Sequence, residues 1–241
     1  LTGRTLKDGE FEFRLNPVDG APGEAQTVRN DADGKVQFGQ IDLAEPGSYK
    51  YEVSEVKPAS AENGMDYDDS VYTVTVNVEN KDNAGQLVAT VDYGTQSDAA
   101  PEFANAYTAT GSATLAVQKT VNGSAPAANA KFDFELSAET EGAPLPERVT
   151  TSTFGGAQAT FGTLSFSAAD AGKTYNYKIS EADDLGLGWT RANDVQVEVT
   201  MGSMEDSSNG VLPVSVRYVG QADDAQDAAA FNNLYTAPSG A

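Results

Sequence analysis

Cysteine and histidine are both absent from this chain of 241 residues. Without cysteine there is no disulfide, no thiolate nucleophile and no thiolate-ligated zinc. Without histidine, Ser-His-Asp catalysis and nearly all familiar zinc and iron sites are excluded as well. Basic residues are scarce: 15 Lys and Arg stand against 36 Asp and Glu, a formal net charge of −21. That balance argues against nucleic acid or an anionic membrane as a partner and suits a well-hydrated surface. No apolar run approaches the about 18–20 residues that span a bilayer, and no signal peptide is recognisable. The chain is therefore expected to be a mature segment or a piece of something longer, with no membrane contact of its own.

What is present is β patterning. Residues 9–15 alternate apolar and charged side chains, as a half-buried strand does. Residues 49–55, 72–78 and 87–93 read as further strands, and residues 103–107 close the unit. No window has helical periodicity over more than a turn or two. After the small, polar stretch 108–113 the programme repeats. Residues 131–136 answer 11–15, 159–164 answer 36–41, 175–181 answer 49–55, 195–199 answer 74–78, and 212–218 answer 87–93. The reading is all-β: two tandem immunoglobulin-like β-sandwich domains, residues 1–110 and 111–241.

Parity within the strands places polar groups where apolar ones belong. Phe231, Asn233 and Tyr235 share one face in the last strand, and Phe103, Asn105 and Tyr107 share one in the first repeat. Glu181 continues the row of Tyr175, Tyr177 and Ile179, as Glu55 continues that of Tyr49, Tyr51 and Val53. Lys119 lies on the inward face with Leu115, Val117 and Val121. Singly, each has a bland reading: a Glu reaching solvent, a Lys snorkelling, an Asn capping a turn. Together they suggest a reaction. A desolvated lysine loses its proton readily and becomes nucleophilic, and a carboxyl group in the same pocket resists ionisation. The acid can then polarise the Asn carboxamide and shuttle protons. Attack of the amine on the carboxamide carbon expels ammonia and leaves an isopeptide bond. This is a single self-processing event, so no enzyme is expected, and no cofactor or metal.

These motifs resemble a known family. Val-x-Lys-x-Val-x-Gly, Phe-x-Phe-x-Leu, Tyr-x-Tyr-x-(Val/Ile)-Ser-Glu and Phe-x-Asn-x-Tyr are similar to the isopeptide-linkage domains of streptococcal-type backbone pilins and cell-wall-anchored surface proteins of Gram-positive bacteria; residues 67–74 also look like a family segment. The resemblance covers nearly all of both repeats. It implies that Lys119 is the amine, Asn233 the amide and Glu181 the catalytic acid. In the first repeat Glu55 and Asn105 match the acid and the acceptor. Leu1-Thr2-Gly3 matches Val121-Asn122-Gly123, so the counterpart of Lys119 would lie two residues ahead of Leu1, and Lys7 is not a substitute. One bond is expected, Lys119 to Asn233, and none is assigned to Asn105. Asn232, out of register, is expected to face solvent.

The implied function is a structural stalk or pilin-like segment, extracellular and anchored to the cell wall, here as a fragment without signal peptide or anchor. Its partners would be neighbouring domains or pilin subunits of the same assembly. The alternative is an adhesin module recognising a host glycan or a host protein receptor, with Tyr67 and Trp189 as candidate contacts, although both suit a core or strand start better. Two features hint at calcium: the run from Asn30 to Gly34, and the acidic clusters Asp66, Asp68, Asp69 and Asp183, Asp184. Arg29 stands where a calcium loop needs its first ligand and Gln40 where it needs its bidentate Glu, so a turn and solvated loops are preferred. The sequon at Asn122 is read as incidental.

Overall fold

A computed structural model of the chain describes residues 1–81, 85–95, 99–182, 185–222 and 226–238. The acidic pair Asp183 and Asp184 lies outside the described residues. The chain divides into two compact units, Leu1–Thr108 and Ala109–Ala241. Among the described residues there is no α-helix, only strands and two short 3-10 turns. No helix among the described residues is long and apolar enough to cross a membrane.

In the second unit, strands β9 (Lys131–Ala138), β10 (Thr150–Phe154), β12 (Thr174–Glu181), β14 (Val195–Met201) and β15 (Val214–Tyr218) form an antiparallel sheet in the order β10-β9-β12-β14-β15. Strands β8 (Gly111–Val121), β11 (Ala159–Phe166), β13 (Trp189–Thr190) and β16 (Ala229–Tyr235) form a second sheet, ordered β11-β8-β16-β13. Its central pair, β8 and β16, is parallel. The first and last strands of the unit therefore lie side by side. Alternation decides which residues fill the space between sheets. Phe134, Leu136, Tyr177, Ile179, Val197 and Val199 point in from one layer, and Leu115, Val117, Leu164 and Phe231 from the other. Each large side chain so buried contributes about 1.5–3 kcal/mol relative to exposure.

The first unit has one five-stranded antiparallel sheet. Strands β1 (Glu12–Val18), β2 (Gln26–Arg29), β3 (Gly47–Val56), β5 (Val71–Lys81) and β6 (Gln86–Asp92) lie in the order β2-β1-β3-β5-β6. Among its described residues the other strands are β4 (Met65–Asp66) and β7 (Ala106–Tyr107), paired as a two-stranded ribbon. Leu15, Tyr51 and Val53 form the core, with Phe38, Ile41, Val74, Val76 and Phe103 packed on it.

Several expectations need correction. Residues 36–41 form no strand, although the matching β11 is one. Strand β11 takes its hydrogen bonds from β8, whereas in residues 36–41 the Gly39 N–H and C=O are both bonded by the Gln26 side chain. In the 103–107 segment only Ala106–Tyr107 is a strand, paired with Met65–Asp66. The match of residues 195–199 to 74–78 is two positions out: Val199 stands opposite Tyr175 as Val76 stands opposite Tyr49. Residues 111–113, read as part of a connector, already pair with Leu164, Ser165 and Phe166. Tyr235, expected inside, is 39% exposed with its ring against Trp189.

Candidate functional site

Cross-strand pairing explains why three polar side chains enter the second core. Directly opposed residues share a face. Glu181, the last residue of β12, is opposed by Phe134 of β9, a core residue, and so turns inward. Lys119 of β8 is paired with Phe231 of β16, and Asn233 lies two residues further along the same face. All three are closed to solvent: Lys119 and Asn233 at 0% exposure and Glu181 at 2%.

They meet on one carboxyl group. Lys119 Nζ lies 2.9 Å from Glu181 Oε1 and donates to Oε2 at 3.1 Å. Asn233 Nδ2 donates to Oε1 at 3.1 Å. The amine and the amide nitrogen thus share a single oxygen. The surroundings are aromatic: Lys119 Nζ sits 4.8 Å from the centre of the Phe132 ring, and the Phe134 and Phe231 rings pack at 4.9 Å. Burial in this apolar shell pushes the Lys119 pKa down, against the opposing pull of Glu181.

Two contributors left no trace in the sequence reading. The backbone N–H of Ala192 donates to Asn233 Oδ1 at 2.8 Å, which polarises the carboxamide and would stabilise negative charge developing on its oxygen. Arg191 Nη1 donates to the backbone carbonyl of Glu181, fixing the strand end that carries the acid. A backbone donor has no side-chain signature, so only the three-dimensional arrangement reveals it. Asn232 faces out, its Oδ1 accepting from Thr120 Oγ1 and Gly123 N.

The first unit holds the same arrangement minus the amine. Glu55 is opposed by Phe13 and turns inward as Glu181 does. Asn105 is 4% exposed; its Nδ2 donates to Glu55 Oε1 at 3.1 Å, and Asp68 N donates to its Oδ1 at 2.7 Å. Burial pushes the Glu55 pKa up, the bond from Asn105 opposes this, and Asp68 adds to it. Lys7 is exposed and takes no part.

The remaining candidates resolve into structure. Asp68 accepts from the N–H groups of Ser70 and Ala104 at 2.8 and 2.6 Å; the Ser70 side chain first, and then the Ala104 N–H, draw its pKa down. Asp31 accepts from Asp33 N and Lys35 N in a turn, while buried Asn30 bonds Phe11 N, Lys7 O and Asp31 O. Tyr67 packs on Phe11, and Trp189 on Phe132. Both Asn122 side-chain atoms are engaged by the Tyr235 backbone. Among the described residues no group of three or more Asp, Glu, His or Cys side chains is placed to hold a metal ion.

Comparison with known proteins gives a family. Residues 1–108 and 115–236 each match FctA, the Spy0128-like isopeptide containing domain. No curated protein matches the chain. Among solved structures, the major pilin of Streptococcus pyogenes is similar at 20% identity, covering 98% of this chain and 94% of that one, with a TM-score of 0.31. A major pilin from Streptococcus pyogenes serotype GAS13637 is similar at 19% identity, covering 93% and 88%, with a TM-score of 0.30. On the family match, which takes in most of both units, this chain belongs to the Spy0128-like isopeptide containing domain family and carries two copies of that domain.

Proposed function

We propose that the second unit joins Lys119 to Asn233 by an autocatalytic isopeptide bond and that the chain serves as a tension-carrying, pilin-like segment of a bacterial surface assembly. The observation that carries this is the meeting of Lys119 Nζ and Asn233 Nδ2 on one oxygen of Glu181, closed to solvent. The Lys119 ammonium hands a proton to Glu181. The neutral amine attacks Asn233 Cγ while Ala192 N–H holds the oxygen. Glu181 passes its proton to Nδ2, the Cγ–Nδ2 bond breaks and ammonia leaves. Nζ, cationic after its attack, gives its second proton to the Glu181 carboxylate, and a neutral Nζ–Cγ amide stands. Packing holds the partners in place, which supplies much of the reduction in barrier. No second turnover is available, because the nucleophile is consumed.

The topology supports the mechanical reading. Strands β8 and β16 are parallel neighbours, so force entering at the start of one and leaving at the end of the other shears them. A covalent bond between them carries that force without passing it through the sandwich. The family match agrees with this role. Stretching single molecules tests it. With the bond in place, residues 119–233 contribute no extension on unfolding. Lys119→Met should release a new event of roughly 400 Å, at 3.3–3.6 Å per residue. A wild-type chain that already shows this event has no such bond.

A further inference from the structure

The groups that meet in the second core come from two layers. Glu181 ends β12 in the antiparallel sheet, whereas Lys119 and Asn233 lie on β8 and β16 in the other. The N–H that bonds Asn233 Oδ1 belongs to the Arg191–Ala192 peptide, so whatever holds Arg191 also sets that donor. The segment that carries it is anchored to the Asn233 layer. Strand β13 is a two-residue edge strand that pairs with β16 through Trp189–Tyr235 and Thr190–Leu234, and Thr236 N donates to Gly188 O. This ladder relates the donor to Asn233 but not to the acid.

The end of β12 needs a partner of its own. Its ladder with β14 stops where Ile179 faces Val195, and the strand runs on past that point to Glu181. On the β9 side it stays paired, with Glu181 facing Phe134 and Ala182 N donating to Asp133 O. On the β14 side Arg191 Nη1 donates to the Glu181 carbonyl and stands in for the absent ladder donor. The guanidinium is held at its other nitrogen too. Nη2 donates to Asp194 Oδ1 at 3.2 Å, and Asp194 Oδ2 faces Lys178 Nζ of β12 at 3.9 Å. The first unit connects the matching segments with different residues. Met65 faces Tyr107 as Trp189 faces Tyr235, so Tyr67 stands where Arg191 does. Its ring packs on Phe11 and its hydroxyl accepts from Glu62 N. There Lys57, two residues beyond Glu55, pairs at 2.5 Å with Asp69, the neighbour of the donor Asp68. A tie between the acid's strand end and the donor's segment thus recurs in both units.

We propose that Arg191 is a positioning residue for bond formation, tying the strand end of Glu181 in one sheet to the Ala192 N–H and Asn233 at the other. The inference rests on the chemistry assigned to the second unit. Arg191 acts through the Glu181 carbonyl and the Ala192 peptide, not on the reacting atoms. Without the tie the two layers can shift, and a misplacement of about 1 Å at reacting atoms costs on the order of 10²-fold in rate.

The test follows ammonia loss from the full chain by timed mass spectrometry after cell-free synthesis. Arg191→Met keeps an apolar stem and removes the fork. It should fold by circular dichroism and slow bond formation on the order of 10–100-fold. The pH profile separates positioning from lost stability. In wild type the proton passes from Lys119 to Glu181 inside the site, so the rate should be flat near neutral pH. In Arg191→Met the displaced acid no longer takes that proton, the amine must lose it to solvent, and the rate should rise with pH. Arg191→Lys should recover part of the rate, because an ammonium lacks the planar fork that holds both acceptors. Should Arg191→Met not fold, Asp194→Asn decides: it keeps Arg191, loosens its second anchor, and should slow the reaction with the same pH dependence. A folded variant that forms the bond at the wild-type rate, or more slowly with a flat pH profile, overturns the inference. That result, with ammonia loss intact in wild type, sinks this inference alone; no ammonia loss in wild type sinks the bond itself.

Discussion

Lys119→Met should lower the melting temperature of the second unit and leave the first unchanged. Methionine keeps an unbranched apolar stem in the site and removes only the amine. The proposed bond would close a loop from residue 119 to residue 233, nearly the whole unit. If the cross-link restricts the unfolded chain as a disulfide does, it contributes about 4–5 kcal/mol. For a unit of this size that corresponds to a drop on the order of 15 °C. Scanning calorimetry should resolve two transitions, one per compact unit, with only the second moving. The substitution also strips Glu181 of its cation, and an unpaired buried carboxylate destabilises by itself. Lys119→Met combined with Glu181→Gln separates the two effects, because Gln is neutral and still accepts from Asn233 Nδ2. The double variant should remain well below wild type. Its return to the wild-type melting temperature would refute the reasoning, since the loss would then be one of charge and not of a cross-link.

Glu181→Gln alone should leave the sandwich folded by circular dichroism but abolish ammonia loss, because the amide cannot relay a proton from Lys119. Ala192→Pro removes the N–H that bonds Asn233 Oδ1; followed by timed mass spectrometry after cell-free synthesis, bond formation should slow on the order of 10²-fold. Asn233→Ala keeps Lys119 as a free, buried amine whose pKa burial has lowered from 10.5. The unfolded chain then binds the extra proton, so stability should be lowest below the folded pKa and rise with pH toward 10.5; adding Lys119→Met should flatten that slope in denaturant titrations. Glu55 has the opposite sign: its raised folded pKa means stability of the first unit falls as pH climbs above 4.5. Glu55→Gln should therefore raise the first melting transition at neutral pH and not at pH 4.

The polar triad was legible because alternation in a strand is strict. Once Tyr175, Tyr177 and Ile179 are inside, Glu181 has nowhere else to point, and the register with Phe134 agrees. The internal repeat was legible for a similar reason, since the inward aromatics recur in order. What escaped was non-local. Whether residues 36–41 form a strand depends on a partner distant in the fold, not on their own propensity. Asn30 sits in a polar run that looks like any turn, yet its side chain is buried because it satisfies Phe11 N and Lys7 O at once. The two-residue error in aligning β14 came from matching valines, which repeat every second position and so fit equally well after a slip of two. Ala192 and Asp68 act through backbone N–H groups, and every residue but proline has one.

Intact mass with tandem spectrometry of the folded wild-type protein bears most directly on the central claim. The account predicts a mass lower than the sequence mass by one ammonia, recovered in a branched peptide joining Lys119 to Asn233. A full sequence mass would contradict it, as would a deficit traced to succinimide at Asn63, Asn122 or Asn209, each of which precedes a glycine, with the Lys119 amine still free.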